Sequence, residues 1–368
     1  MNSLAPGARR AVRPAGADPA APVVAGSAGA WRRFVGTVLA VAAAAGLAIL
    51  GFIAAMDPYG LRAAPGRPPG PIMDLNQRFM YPQVVRSGAF DAAVFGTSTA
   101  RLLDPESLDA ALGGRFANLA MNAATPWEQV QLARLFLDTV QVRGVVFGLD
   151  ANWCDAKADA KRLTFRAFPA WLYRSDAAWR GLLHQWNLQS LQIAGRVLLH
   201  RLGRMPERIR HDGYEVFTPP EASYDAARAA THIRTWERED PSVGPGPLPA
   251  LDWLDALLAA LPPEARRLVA FMPVHVGAQA PPGSPGAERE AACKARAAAI
   301  GRSRGATVVD FRIPSGVTTR DANYWDPLHY RLPIAARVVA ALARAEASGA
   351  DDPDGFYRVL AHPQAAGR

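Results

Sequence analysis

The sequence predicts an α/β protein, a three-layer α/β/α sandwich around a mostly parallel five-stranded sheet, preceded by one N-terminal transmembrane helix. Two observations predict this architecture. Five short apolar runs alternate with helical segments between residues 88 and 347, and such alternation is typical of a parallel sheet covered on both faces. Upstream, residues 34–56 contain no charged side chain, and a helix of that length can cross a bilayer.

The N-terminal residues predict a membrane anchor. Residues 1–33 are rich in Ala, Pro and Gly and lack periodicity, so we expect a disordered cytoplasmic tail. Arg32 and Arg33 directly precede the apolar stretch 34–56, which places its N-terminus in the cytoplasm and the rest of the chain outside. A cleaved signal peptide is the alternative. A buried core helix fits less well because the stretch has no polar face.

Residues 57–87 are predicted to be a linker, since residues 61–72 form a proline-rich, semi-rigid spacer. The folded domain is predicted over residues 88–347. Short apolar runs predict its strands, at residues 90–96, 115–121, 144–150, 266–274 and 306–311. Near-helical spacing of apolar or alanine-rich positions predicts its helices, at residues 105–113, 126–140, 286–304 and 333–347. Residues 348–368 are predicted to be a C-terminal tail.

Residues 151–262 interrupt this alternation and predict a largely helical insertion. The insertion holds six of the nine tryptophans. Flat aromatic rings can form a carbohydrate platform or a lid over an active site. We favour the simpler interpretation, in which these rings form the core of the insertion.

The composition argues against several classes of function. The net charge of +8 is spread along the chain, and no basic helix, zinc-finger spacing or aromatic RNA-binding motif occurs, so nucleic-acid binding is not expected. Cys154 and Cys293 lie in no C-x-x-C pair and H-E-x-x-H is absent, so we expect neither metal nor other cofactor. Two free thiols are the favoured interpretation, and a disulfide is the alternative if the domain is exported.

Two short motifs predict nucleophilic catalysis. Ser98, in the stretch "FGTSTAR", directly follows the first predicted strand, and ligand sites of parallel sheets lie at the carboxyl ends of the strands. Asp326 and His329 in "DPLHY" precede the last helix, at a spacing that lets the carboxylate orient the imidazole. An α/β-hydrolase elbow also contains G-x-S-x-G, but there the acid and the histidine come from separate loops.

Each of these residues also has a purely structural interpretation. Ser98 could cap the following helix, His329 could be a surface histidine, and Asp326 could form an Asx turn before a proline. Arg101 is a candidate binding residue, but a structural ion-pair partner is the favoured interpretation over a substrate clamp. His275, which follows the fourth strand, is expected to be a loop histidine.

Four blocks of the sequence, "FGTSTAR", "FANLAMNAATPWE", "GLDAN" and "DPLHY", resemble the SGNH (GDSL-like) hydrolase and acyltransferase superfamily, whose sheet is flavodoxin-like. More narrowly, the chain resembles the membrane-anchored envelope branch that includes alginate O-acetylation and DltD-like proteins. The resemblance covers residues 88–150 and 264–345. It implies that Ser98 is the nucleophile, His329 the base and Asp326 the acid.

The two middle blocks depart from the family pattern at the oxyanion hole. Ala123 stands where relatives have the glycine that supplies an oxyanion amide, and a backbone N–H survives that change. Asp150 stands where relatives have an asparagine, and a carboxylate there would repel an oxyanion. The resemblance therefore implies that Asn152 takes the asparagine's role, or that only the backbone N–H groups of Ser98 and Ala123 serve.

The resemblance implies a tethered serine acyl-transfer enzyme of the bacterial inner membrane, with a periplasmic catalytic domain. Its expected activity is O-acetylation of an envelope or extracellular polysaccharide, with a multi-span membrane acyltransferase as the expected source of the acyl group. An envelope esterase or deacetylase is the second hypothesis. A catalytically inactive assembly protein is the third, and the unusual "GLDAN" block is the feature in its favour.

Overall fold

The computed structural model describes residues 27–66, 70–174, 177–237 and 243–363. Its strands are β1 Ala92–Phe95, β2 Phe116–Asn118, β3 Gly144–Leu149, β4 Arg266–Phe271, β5 Thr307–Asp310 and β6 Arg358–Ala361. Its helices are α1 Ala28–Met56, α2 Gln77–Arg86, α3 Pro105–Leu112, α4 Pro126–Thr139, α5 Ala177–His184, α6 Leu188–Arg201, α7 Ala226–Arg234, α8 Pro249–Ala259, α9 Pro285–Arg304 and α10 Leu332–Ser348. Helices and strands thus alternate through the domain, as the sequence pattern predicts.

The strands form one mixed sheet in the order β2-β1-β3-β4-β5-β6. Strands β1 to β5 are parallel to one another, and only β6, at the edge, is antiparallel to its neighbour β5. The predicted α/β class is confirmed, but the predicted strand number was wrong. The missing strand lies in residues 348–368, which were predicted to be a tail. The strand itself holds only Val359, Leu360 and Ala361 as apolar residues, so this edge strand gives a weak sequence signal.

Alternate residues of the strands point to opposite faces of the sheet. Phe95, Phe147 and Phe271 pack on one face against α2, α4, α8 and α9. Val94 and Val146 pack on the other face against α3 and α10. Both faces are therefore covered, and this explains why the strands are continuous apolar runs.

The predicted insertion at 151–262 is largely helical, with α5, α6 and α7 between β3 and α8. Its last helix, α8, directly precedes β4 and is the helix that connects β3 to β4 in the α/β alternation. The inserted segment therefore ends before α8. Trp153 is fully buried and donates from Nε1 to Gln129 Oε1 at 3.3 Å. Trp186 is instead 54 % exposed. The tryptophans of the insertion therefore do not form a single core.

The prediction of a linker over residues 57–87 was wrong in its second half. Helix α2 lies there, and all of its residues except Arg86 are buried. Asn76 caps the helix by accepting from the Arg78 N–H at 3.2 Å, and Pro82 stands inside it. Proline in the preceding segment obscured a helix whose stability comes from packing against α4.

Contacts divide the chain into two compact units, the first ending at Ile49 and the second beginning at Leu50. Residues 1–26 of the predicted cytoplasmic tail lie outside the described residues. Residues 28–33 of the same predicted tail belong to helix α1. Helix α1 is long and apolar enough to cross a membrane, and only 6 % of its most apolar window is buried. That exposure argues against a core helix, while a signal sequence would meet the same criteria of length and composition.

The favoured interpretation of two free thiols was wrong. Cys154 and Cys293 form a disulfide, with Cα atoms 5.5 Å apart. The bond joins the turn after β3 to helix α9, across 139 positions of sequence. Two cysteines so far apart in sequence have no local pattern that could indicate their pairing.

Candidate active site

The turn that carries Ser98 packs directly onto the neighbouring strand. A Cβ on Gly96 would lie 2.7 Å from the Ala100 Cβ, and a Cβ on Gly148 would lie 2.9 Å from the same atom. Real Cβ atoms do not approach that closely, so both positions require glycine if the turn is to stay where it is. The glycine-rich ends of β1 and β3 thus seat the turn at the carboxyl edge of the sheet.

The loop that carries Asp326 and His329 folds back on itself. Tyr324 and Tyr330 form an isolated antiparallel bridge, and the Trp325 N–H donates to the His329 carbonyl at 2.8 Å. The hydroxyl of Tyr330, which is fully buried, donates to the carbonyl of Thr99. The loop is therefore fastened to the Ser98 turn by its own tyrosine.

His275 is buried and contacts the same loop. Its N–H donates to the Pro327 carbonyl at 2.8 Å, and its Nε2 lies 3.2 Å from the Asp321 carboxylate. Its ring also meets Tyr324 edge-on. The expectation of a loop histidine fits these contacts, which give it a supporting role.

The three residues singled out by the motifs come together as a hydrogen-bonded chain. His329 Nε2 lies 2.9 Å from Ser98 Oγ, and His329 Nδ1 lies 2.7 Å from Asp326 Oδ2. Both distances are those of good hydrogen bonds. The carboxylate holds the imidazole with Nδ1 protonated, which leaves the Nε2 lone pair for the serine proton.

Asp326 is held as a carboxylate. Burial alone raises the pKa of this group, but the His329 ring and the backbone N–H groups of Leu328 and His329 outweigh it and lower the pKa below its usual value. The two N–H groups lie 2.9 Å and 3.0 Å from Oδ1. The acid of the triad is thus charged, and one of its oxygens is fixed by the backbone while the other faces the imidazole.

Asp150 points at the nucleophile turn and is saturated by donors. The hydroxyls of Thr97 and Thr99 both donate to its carboxylate, and Arg312 Nη2 lies 3.2 Å from Oδ1. The Arg312 side chain is only 4 % exposed, so it is a close and poorly screened counter-charge. The candidate role of Asp150 at an oxyanion is therefore not what its contacts favour: it braces the turn on both sides of Ser98.

Ala123 has a left-handed backbone conformation, with φ of +51°, which glycine adopts more readily than other residues. Within the described residues, the N–H groups of Ser98 and Ala123 donate to no protein acceptor. Asn152 Nδ2 donates to the Ala124 carbonyl at 2.9 Å and so holds the loop beside Ala123. One amide hydrogen of Asn152 remains for a ligand, because a side-chain amide carries two.

Arg78 is a residue of this site that the sequence analysis missed. It forms a fully buried ion pair with Glu128, at 2.9 Å and 2.7 Å to the two carboxylate oxygens. The same guanidinium donates to the carbonyls of Asn122 at 3.1 Å and Ala123 at 3.4 Å. Helix α2 therefore holds the loop that contains Ala123 in place through the hydrogen bonds of Arg78. The available signal was Glu128 itself, a buried carboxylate at a helix start that needs a cationic partner.

Arg101 is a structural ion-pair partner, as expected. Its guanidinium pairs with Glu215, donates to Asn122 Oδ1 at 2.9 Å and lies 5.0 Å from the centre of the Phe217 ring. Phe217 in turn meets the His329 ring edge-on at 5.4 Å. Arg101 thus holds the wall on one side of the imidazole, and it does not line the cavity.

A cavity of about 440 Å³ opens beside Ser98. Ser98, Ala123 and Asn152 line it. The other lining residues include apolar, polar and charged side chains, among them Trp236, Val274, Gln279, Arg289, Glu290 and Leu328. The volume is within the range of small-molecule sites. Within the described ranges, no group of three or more His, Cys, Asp or Glu side chains is placed to hold a metal ion.

Comparison with known proteins assigns no family to the chain. No protein-family model matches it, and no curated protein matches it significantly. The resemblance described above therefore rests on the four sequence blocks alone, and the chemistry of the site has to be argued from its geometry.

Proposed function

We propose that this protein is a serine acyl-transfer enzyme with Ser98 as nucleophile, His329 as general base and Asp326 as the residue that orients the base and stabilises its charged form. The observation that carries the proposal is the continuous hydrogen-bonded chain from Asp326 through His329 to Ser98, at 2.7 Å and 2.9 Å. Such a chain at the edge of a cavity is the arrangement that nucleophilic serine catalysis needs.

In the first half-reaction Ser98 Oγ attacks the carbonyl carbon of an ester, and its proton passes to His329 Nε2. The Asp326 carboxylate stabilises the imidazolium that forms. The tetrahedral oxyanion is stabilised by the N–H groups of Ser98 and Ala123, with Asn152 Nδ2 as a third donor. Collapse of the intermediate breaks the ester bond, and the leaving alcohol takes the proton from His329.

In the second half-reaction a hydroxyl group attacks the acyl-Ser98 ester and gives its proton to His329. Collapse of the second tetrahedral intermediate breaks the acyl–Ser98 bond, and His329 returns the proton to Ser98 Oγ. If the hydroxyl belongs to a sugar, the net reaction is O-acylation of a glycan. If it belongs to water, the net reaction is hydrolysis. We favour transfer to an envelope polysaccharide by a member of the SGNH superfamily, for two reasons. The exposed apolar helix α1 suits a membrane tether, and the four sequence blocks resemble the envelope branch of that superfamily.

Covalent labelling tests the proposal. A fluorophosphonate probe should label the purified full-length chain, and Ser98→Ala should abolish that labelling. Thr97→Ser, next to the nucleophile, is the matched control, and it should keep the labelling because it keeps the hydroxyl that Asp150 accepts from. A folded wild-type protein that takes up no probe would instead favour the inactive assembly protein.

Product analysis separates transferase from esterase. The wild-type chain is incubated with an activated acetyl ester, with and without an acceptor oligosaccharide. Acetylated oligosaccharide, absent with Ser98→Ala, supports transfer. Release of free acetate at the same rate with and without acceptor would support the esterase.

A further inference from the structure

Helix α6 has two apolar faces on opposite sides. One face is buried in the domain and consists of Ser190, Ile193, Ala194 and Val197. The other side carries a stripe of leucines at spacings of three, four and seven residues, which lie above one another on a helix. The stripe consists of Leu188 (69 % exposed), Leu191, Leu198 (37 %), Leu199 (37 %) and Leu202 (58 %). A helix packed on one side only should carry polar residues on the outer side.

The leucine stripe belongs to a concentration of exposed apolar side chains. Among the residues that the structure describes, 13 large apolar side chains outside α1 are exposed, and seven of these lie between residues 182 and 202. Besides the leucines of α6, the group contains Leu182, Leu183 and Trp186. Isolated exposed apolar residues are normal, but such a concentration in one short segment indicates a contact surface.

The surroundings of α6 indicate which contact this is. Arg201, in its last turn, donates to the carbonyls of Ala55 at 3.4 Å and Met56 at 3.2 Å. Arg62 Nη2 donates to the Ala55 carbonyl at 3.0 Å. These carbonyls are the unpaired ones at the end of α1, and residues 50–56 belong to the same compact unit as α6. The α6 terminus therefore lies where the apolar helix ends, at the level of a membrane surface if α1 spans the bilayer.

We propose that the leucine stripe of α6 rests on the lipid bilayer, with its side chains in the boundary between headgroups and acyl chains. The proposal rests on the membrane anchoring included in the proposed function. Exposed leucines on one side of a helix, with arginines on the same helix and Trp186 just before it, are typical of helices that lie in the membrane interface. The 14 residues of α6 span about 21 Å at 1.5 Å per residue. A contact of that length would limit how the catalytic domain turns on its anchor.

Site-directed spin labelling of the full chain in lipid nanodiscs tests the contact. Both native cysteines are in the disulfide, so a nitroxide attaches only to an introduced cysteine. Leu188→Cys and Leu199→Cys probe the stripe, and Gln189→Cys, on the same helix beside the stripe, is the matched control. Phe165→Cys, at a side chain 89 % exposed, gives the value for water, and Val41→Cys in α1 gives the value for lipid.

The measured quantity is the ratio of nitroxide accessibility to oxygen, which concentrates in lipid, and to a soluble nickel complex. Positions 188 and 199 should give a ratio several times that at position 165 and close to that at position 41, with a lower ratio at 189. Leu202→Cys replaces either stripe variant if it fails to fold. Water-like ratios at 188 and 199, with a lipid-like ratio at 41, would overturn the proposal. Protection from both reagents would also overturn it, in favour of a protein contact. A water-like ratio at 41 would refute the anchor itself.

Discussion

The ion pair between Arg78 and Glu128 gives a prediction that joins stability and activity. Arg78→Met removes every hydrogen bond of the guanidinium and leaves the Glu128 carboxylate fully buried. The strongest remaining contact of that carboxylate is the Thr125 N–H, at 2.9 Å. Breaking a buried pair by removing one partner costs about 3–5 kcal/mol. For a domain of this size, each kcal/mol lowers Tm by about 2 °C. We therefore expect Tm to fall by roughly 6–10 °C.

The same substitution should slow catalysis. Arg78 donates to the carbonyls of Asn122 and Ala123, and without it the left-handed Ala123 loses the support of helix α2. If the Ala123 N–H leaves the oxyanion hole, acylation should slow by up to the 10²–10³-fold effect of losing one donor. The double variant Arg78→Met/Glu128→Gln removes both charges. It should recover most of the stability but not the rate, since the two carbonyls still lack a donor.

Thermal unfolding in detergent and the rate of fluorophosphonate labelling measure the two effects, with labelling followed well below the Tm of every variant. Arg196→Met is the control, because its pair with Asp74 is partly exposed and should contribute less than about 1 kcal/mol. Labelling of folded Arg78→Met at the wild-type rate would refute the role assigned to the pair. A double variant as unstable as Arg78→Met would refute the explanation by an uncompensated buried charge.

Three further predictions follow from the site. Asp326→Asn should slow labelling by up to about 10⁴-fold, as in other triads. Because the folded pKa of Asp326 is lowered, its stabilising effect is present above pH ~3.9 and lost as the pH falls below that value. The difference in Tm between wild type and variant should therefore shrink in acid, and a constant difference would contradict this. Gly148→Ala should cost about 1–3 kcal/mol of stability and slow labelling, because the new Cβ would lie 2.9 Å from the Ala100 Cβ. Gly195→Ala, where a Cβ meets nothing within 4 Å, should leave labelling unchanged, and equal effects of the two substitutions would contradict the packing argument. Replacing Cys154 and Cys293 by alanine should cost up to about 5 kcal/mol for a loop of 139 positions, measured as a fall in Tm. An unchanged Tm would show that the disulfide does not constrain the unfolded chain.

Local patterns of the sequence were sufficient to predict the elements that lie inside the sheet. Strand β3 was predicted at residues 144–150 and lies at Gly144–Leu149, because a strand buried on both faces must be a continuous apolar run. The edge strand β6 was missed, since only Ala361 among its residues is buried. Helix α2 was missed because its stability comes from contacts with residues distant in sequence, and no local pattern records them.

In the candidate site, too, contacts between residues close in sequence were predictable, and contacts between distant residues were not. Asp326 and His329 are three residues apart, so their contact follows from a local turn, and the edge of the sheet brings Ser98 to them. The surroundings of Ala123 depend on pairs such as Arg78 and Glu128, 50 positions apart. The sequence shows the two charged residues of such a pair but does not indicate that they contact each other. Geometry local to a motif was therefore predictable, whereas the residues that hold the motif in place were not.

The environment of Asp150 explains how a carboxylate can lie beside the proposed oxyanion hole. Two threonine hydroxyls donate to it and Arg312 pairs with it, so its charge is balanced and directed toward the nucleophile turn. The electrostatic objection raised by the sequence thereby loses most of its force. A carboxylate at position 150 supplies no side-chain donor to the proposed oxyanion hole, which leaves the N–H groups of Ser98 and Ala123 and the amide of Asn152. Because one hydrogen of the Asn152 amide already goes to the Ala124 carbonyl, the backbone N–H of Ala123 should supply a large share of the oxyanion stabilisation, and its fixation by Arg78 should therefore matter for the rate.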